Sequence, residues 1–233
     1  MLGFIFDPLL IFQPVIAITI FAIIIIIIIN IGYKFLVNQQ EAKQIKDRIK
    51  ELNETLKKEQ KEGNTSKVTE IMSETMKENS KLMRLTMKPM LVSLVIVFLF
   101  LPWASGNFGD QTANLVNDKG NITINNELYQ TQLNGDTVTV TKSGATIATF
   151  TATASEIDRR FLIGNDYYVL SYEKAGGFIF TSPEHVKFAR VVALLPEGVS
   201  LPLFGNEFGW LGWYLIISIP VMLLIRKSLK INI

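Results

Sequence analysis

Three long apolar blocks punctuate the chain. The first runs from Val15 to Ile29, with Thr19 as its single polar interruption and seven consecutive isoleucines from Ile23 to Ile29. Extended back to Leu9 it reaches about 20 residues, enough for a helix to cross a hydrocarbon core of roughly 30 Å. So many β-branched residues also suit a buried strand, but a strand would be far shorter than this block. The second block, Met90 to Ala104, carries Ser93 as its polar interruption. As a helix it measures on the order of 22 Å. The third, Trp210 to Ile225, is about as long and ends at Arg226-Lys227. Spans this short need a thinned bilayer, a burial partner, or helix extending into the flanking sequence.

Between the first two blocks the period changes. Ile45, Ile49, Leu52 and Leu56 follow heptad spacing among alternating lysines and acids, which predicts an amphipathic helix. Gly63-Asn64 breaks it, and Thr65 or Ser66 is placed to cap a second helix running through Val68, Met72 and Met76 toward Pro89. Two antiparallel helices forming a coiled coil return both ends to the membrane. Between the last two blocks the pattern alternates as strands do. Asp136 to Lys142 and Ala145 to Thr151 flank a Ser143-Gly144 turn, and Phe161–Gly164, Tyr167–Tyr172 and Gly177–Thr181 supply further strands. About seven short strands predict a small sandwich or barrel.

The fold class is therefore an α-helical membrane protein with three transmembrane helices, a cytosolic coiled-coil hairpin and an extracytoplasmic all-β domain. The expected division is 1–33 for the first span, 34–88 for the hairpin, 89–105 for the second span, 106–205 for the β domain, and 206–233 for the third span with its tail. Charge sets the orientation. From Lys34 to Lys88 there are 13 Lys and Arg against 9 Asp and Glu, whereas from Gly106 to Glu207 there are 7 against 11. Arg226, Lys227 and Lys230 follow the last span without an acid. The positive-inside rule places the hairpin and C-terminus in the cytosol, and the N-terminus and β domain outside. A cleaved signal peptide is disfavoured, because the early charge is Asp7 and the first basic residue, Lys34, follows the apolar stretch. Trp103, Trp210, Trp213 and Tyr214 stand where interfacial aromatics belong.

Composition removes several chemistries. The chain has no cysteine and one histidine, His185, so thiolate or histidine metal sites are not expected. Asp158 beside Arg159 and Arg160 reads as a surface ion-pair cluster, and Glu184-His185 is assigned no role. No catalytic residue, cofactor or enzymatic activity is expected. Asn121-Ile-Thr123 is a weak glycosylation signal. Methionine usage is more informative: Met72, Met76, Met83, Met87 and Met90 lie on the second hairpin helix or at its entry to the membrane. Such flexible, polarisable side chains suit a surface that accepts varied apolar partners, although packing against the first helix explains the spacing equally well.

Met83-Arg-Leu-Thr-Met-Lys-Pro-Met90 leading into the second span, and Gly209-Trp-Leu-Gly-Trp-Tyr214 opening the third, resemble the archaeal YidC-like insertases. They are also similar to the insertase subunit of the eukaryotic endoplasmic-reticulum membrane protein complex. The resemblance covers residues 1–105 and 206–233. It implies a plasma-membrane insertase and chaperone that works without nucleotide. Clients would be received on the five methionines. Asn30, Ser93 and Ser218 would line a polar groove, and Lys34, Arg84, Lys88 and Arg226 would ring its cytosolic mouth. The implied partners are nascent membrane proteins, the lipid bilayer, the ribosome through the basic hairpin and tail, and other translocation components, with no DNA. The competing reading is a membrane-anchored sensor or scaffold whose outer domain binds a ligand.

Overall fold

The computed structural model describes residues 2–152, 160–176, 182–196 and 206–231. A short 3-10 segment, Leu2–Ile11, precedes helix α1, Pro14–Leu36. Helices α2, Gln39–Lys61, and α3, Thr65–Phe108, follow, and α4, Trp210–Ser228, comes last. Ten strands lie between α3 and α4: β1 Gln111–Asn114, β2 Lys119–Ile124, β3 Glu127–Asn134, β4 Thr137–Lys142, β5 Ala145–Thr151, β6 Arg160–Ile163, β7 Asp166–Glu173, β8 His185–Val191, β9 Ala193–Leu194 and β10 Glu207–Phe208. Three of the helices, α1, α3 and α4, are long and apolar enough to cross a membrane. The chain forms two compact units, one of Met1–Ile5, Ile20–Leu101 and Ile216–Ile233, the other of Phe6–Thr19 and Pro102–Leu215.

The helix boundaries correct the sequence reading at Pro14 and Thr65, and extend the second and third spans into their flanking sequence. The first spanning helix begins at Pro14, not Leu9: Pro14 has the fixed φ favoured at a first helical position, and the Gln13 carbonyl accepts the amides of Ile16 and Ala17. α3 is one continuous helix of 44 residues, about 66 Å long, so the second apolar block is not an isolated short span. α4 holds 19 residues, about 28 Å, and nearly covers a hydrocarbon core by itself. Both helices thus extend past their apolar blocks into charged flanking sequence, α3 through Lys88 and α4 through Arg226 and Lys227. At the hairpin turn Thr65 is already helical, and it is the Asn64 carbonyl that takes the first bond, from Val68. Gly63 ends α2 at a φ of +74°, a conformation glycine enters without a Cβ penalty.

In the first unit, α2 buries Ala42, Ile45 and Leu52 and half-buries Ile49 and Leu56. On α3 the sheltered positions include a stripe of Val68, Ile71, Thr75, Glu78, Leu82, Leu85 and Pro89, spaced alternately by three and four, with Glu74 and Thr86 beside it. Arg48 donates to Glu74 at 2.7 Å between the two helices. The seam passes through Ile71 and Thr75, not through Met72 and Met76, because a methionine at those positions points about 100° away from it.

The second unit contains two four-stranded antiparallel sheets, ordered β1-β8-β7-β6 and β2-β3-β4-β5, with β9 and β10 as a separate ribbon. Their inner faces share one core, in which Ile163, Tyr168, Leu170, Val186 and Phe188 of one sheet meet Ile122, Ile124, Tyr129, Val138, Val140 and Phe150 of the other. This is a sandwich rather than a barrel. Asn125-Asn126 and Ser143-Gly144 form two-residue turns with positive φ, whose twist matches that of the flanking strands. Gly120 is required by close approach, since a Cβ there would stand 2.6 Å from the Asn114 carbonyl oxygen and 2.8 Å from Thr131 Oγ1. The strand expected over Gly177–Thr181 lies outside the described residues, as do Asp158 and Arg159. Arg160 pairs with Glu207 at 2.8 Å.

Candidate functional site

The five methionines lie on α3 at positions the seam leaves free. Met72, Met76, Met83, Met87 and Met90 are between 48% and 70% exposed. At about 100° per residue their stripe is centred roughly 120° from the seam. Packing against α2 therefore does not account for them. Further along the same helix Leu91, Val92, Leu94, Val95 and Phe98 are exposed as well, so the apolar surface continues from the hairpin into the spanning part.

The three intramembrane polar residues have three different environments. Asn30 is 1% exposed on the buried face of α1, whose other members include Phe21, Ala22, Ile25 and Ile26. Its amide donates to the Ile26 carbonyl at 2.8 Å, and its Oδ1 accepts Arg226 Nε at 3.4 Å. The Arg226 guanidinium also lies 5.6 Å from the ring centre of Tyr33, one turn beyond Asn30 on the same face. Asn30, Tyr33 and Arg226 thus form one polar cluster between α1 and α4. Ser93 donates to the Met90 carbonyl at 2.7 Å and is satisfied by its own helix. The Ser218 hydroxyl is buried without a hydrogen-bond partner. No hydrogen bond joins Asn30, Ser93 and Ser218.

The basic residues separate likewise. Arg226 is held by Asn30 and Tyr33, and Lys34 is exposed in the last turn of α1. Arg84 and Lys88 face a recess at the corner between α1 and α2. Reading the sequence missed Tyr33, although its place three residues after Asn30 was a usable signal. It also missed Lys77 and Lys81, which extend the Arg84–Lys88 spacing backward in steps of four and three.

In the β unit, Glu173 Oε2 is 3.4 Å from His185 Nε2, and the Pro183 carbonyl is 2.8 Å from His185 Nδ1. Tyr172 donates to Glu184, and that bond, with some burial, pushes its pKa up to about 12. Burial, with a hydrogen bond to Glu127, does the same for Tyr129. These groups brace strands. Two of the interfacial aromatics make contacts in this unit: the Trp103 indole donates to Asp7 at 2.9 Å, and the Trp213 indole donates to Thr19 Oγ1 at 2.9 Å while its ring lies obliquely near Phe208. Among the described residues no cluster of acids and histidine could hold a metal ion.

Among known families, integral membrane proteins of the EMC3/TMCO1-like kind match residues 3–140, more than half of the chain, ending within β4. No curated protein and no solved structure matches it.

Proposed function

The chain belongs to the EMC3/TMCO1-like family of integral membrane proteins, within the YidC/Oxa1/Alb3/EMC3 insertase superfamily, and from that premise we propose that it passes hydrophobic segments of nascent proteins into the bilayer without nucleotide or covalent chemistry. On this reading the hairpin and C-terminus face the cytosol and the N-terminus and sandwich face outward, as the charge asymmetry directs, and the host is the plasma membrane, as the resemblance to YidC-like insertases implies. Met83, Met87 and Met90 receive the client, and Met72 and Met76 extend the surface away from the membrane. The observation that carries this reading is the exposed methionine stripe on a helix that continues unbroken into a span.

The physical task is to move a polar flank across hydrocarbon, where one charge costs about 2.5–3.5 kcal/mol or more. Asn30 and Arg226 supply polarity between α1 and α4, Ser218 adds a buried hydroxyl on α4, and Ser93, bonded to its own backbone, contributes least. Lys34, at the end of α1, adds a cation at the cytosolic face. The basic hairpin and tail suit a ribosomal RNA surface.

Photocrosslinking from Met83 and Met87 to nascent membrane proteins on stalled ribosomes tests the proposal. Adducts that depend on the client's hydrophobic segment are expected. Crosslinks confined to the protein's own α2 would overturn it. A membrane-anchored sensor or scaffold is the second reading, favoured by the sandwich with its own core. Removing residues 107–205 and joining the spans by a short linker leaves an insertase working and abolishes a sensor.

A further inference from the structure

A recess of about 440 Å³ opens where α1 hands over to α2. Leu36, Asn38 and Glu41 form its corner side, and Lys81, Arg84 and Lys88 of α3 form the other. With Lys77, these cations follow steps of four, three and four, a stripe on one flank of α3 distinct from both the seam and the methionines. Lys81 is tied to Glu78 at 2.6 Å. Arg84 and Lys88 have no carboxylate within ion-pair distance among the described residues. The corner does not need them for capping. Asn38 Oδ1 accepts the amides of Gln40 and Glu41, and Gln39 Nε2 donates to the Tyr33 and Val37 carbonyls. Two cations thus stand over a recess whose backbone is already satisfied, beside the positive end of the α2 dipole.

The surroundings identify the anion. Phe35 is 81% exposed and Leu36 nearly half exposed at the same corner, and Leu85 lines the recess with the cations. On α3 the sequence turns apolar directly after Lys88, at Pro89-Met90-Leu91-Val92. The recess therefore lies where both helices pass from hydrocarbon-facing to charged residues, which is the headgroup level of a bilayer. A free anion in water has no use for exposed phenylalanine and leucine beside its site.

We propose that this recess binds the headgroup phosphate of an anionic phospholipid, with Arg84 and Lys88 as its ligands and Leu36 and Leu85 against the glycerol and upper chains. The assignment uses the membrane placement of α1 and α3 and is independent of insertase activity, so either can fail without the other.

The test is native mass spectrometry of the full chain released from micelles containing phosphatidylglycerol or phosphatidylcholine, with Kd taken from titration. The wild type should retain phosphatidylglycerol in preference to phosphatidylcholine. The Arg84→Gln/Lys88→Gln variant should bind it about thirtyfold more weakly. Glu41→Gln, which removes the lining carboxylate, should bind it up to about fivefold more tightly, a gain that mere damage to the fold would not produce. Lys57→Gln/Lys58→Gln on α2, outside the recess, should bind as the wild type does. Equal binding by the Arg84/Lys88 variant overturns the proposal, and so does an equal loss in the α2 control, which would mean diffuse charge. Saturable binding of inorganic phosphate at the same affinity would assign the recess to a free anion instead. Displacement of the lipid by an acidic client peptide would assign it to the client.

Discussion

Replacing Met83, Met87 and Met90 together by glutamine separates client capture from fold stability. All three side chains are exposed, at 70%, 48% and 60%, and none lies on the α2–α3 seam. Glutamine matches methionine in length and closely in helix propensity, so each change should alter stability by no more than about 0.5 kcal/mol. The effect on a client is larger. A hydrophobic helix laid on the stripe covers thioether surface that an amide cannot replace without losing water, at on the order of 1 kcal/mol per side chain. Three such losses total about 3 kcal/mol, or roughly a hundredfold weaker capture. The matching leucine triple keeps the apolar area and should stay within a few-fold of the wild type.

The assay is insertion of a single-span client into proteoliposomes, scored by protease protection, with thermal unfolding followed in parallel by circular dichroism. A glutamine triple that unfolds at the wild-type temperature and inserts clients at the wild-type rate refutes the methionine surface. If the leucine and glutamine triples fail equally, shape rather than apolar burial is at work, and the argument from methionine's chemistry falls.

Leu52, 5% exposed on the seam, behaves oppositely: Leu52→Ala should cost about 2–5 kcal/mol and shorten amide-exchange protection along α2. Gly120→Ala forces a Cβ toward the Asn114 carbonyl and should destabilise the sandwich by about 1–3 kcal/mol in thermal melts, whereas an unchanged melting temperature would mean the strand shifts freely. Coupling between Asn30 and Arg226, from an Asn30→Leu/Arg226→Met double-mutant cycle read by reversible unfolding in bicelles, should be about 0.5–1.5 kcal/mol, and zero coupling would show that the cluster is incidental. Tyr172 and Tyr129 have folded pKa values raised to about 12, so their contribution is fully present below about pH 10 and is lost as pH rises toward 12. The sandwich should weaken across that alkaline window, less so in Glu184→Gln; stability rising there would contradict the sign.

Much of the fold is written in local patterns. Seven isoleucines in a row leave lipid as the natural solvent for their helix, and Ile45, Ile49, Leu52 and Leu56 mark their own sheltered stripe. Ser143-Gly144 marks its turn because few residue pairs accept two positive φ angles. Element ends were harder to read. Pro14 overrides an apolar run that seemed to begin at Leu9, and α3 gives no sign of stopping at Lys88, because a helix passes from water into lipid without any change in its backbone bonding. The pairing of sheets was also hidden, since β1 joins β8 across more than 70 residues and alternation alone says nothing about partners.

The polar residues show where sequence reading of a site stops. Asn30, Ser93 and Ser218 look equivalent in the chain, each a small polar group in an apolar run. What distinguishes them is the surroundings on each helix. Asn30 lies on the face of α1 that Arg226 reaches, Ser93 bonds its own backbone, and Ser218 keeps a buried hydroxyl with no partner. The same holds for the cations: Arg226 lies against Tyr33, while Arg84 and Lys88, with no carboxylate within ion-pair distance among the described residues, face a recess. The basic residues expected to ring one membrane face therefore stand in different surroundings. On the proposed reading, an arginine already seated against Asn30 and Tyr33 needs little further ordering when a polar client flank passes it, and the cations proposed to bind lipid phosphate would hold the protein at its depth. If lipid binding and client insertion respond to separate members of that ring, the division follows from the geometry and not from the count of charges.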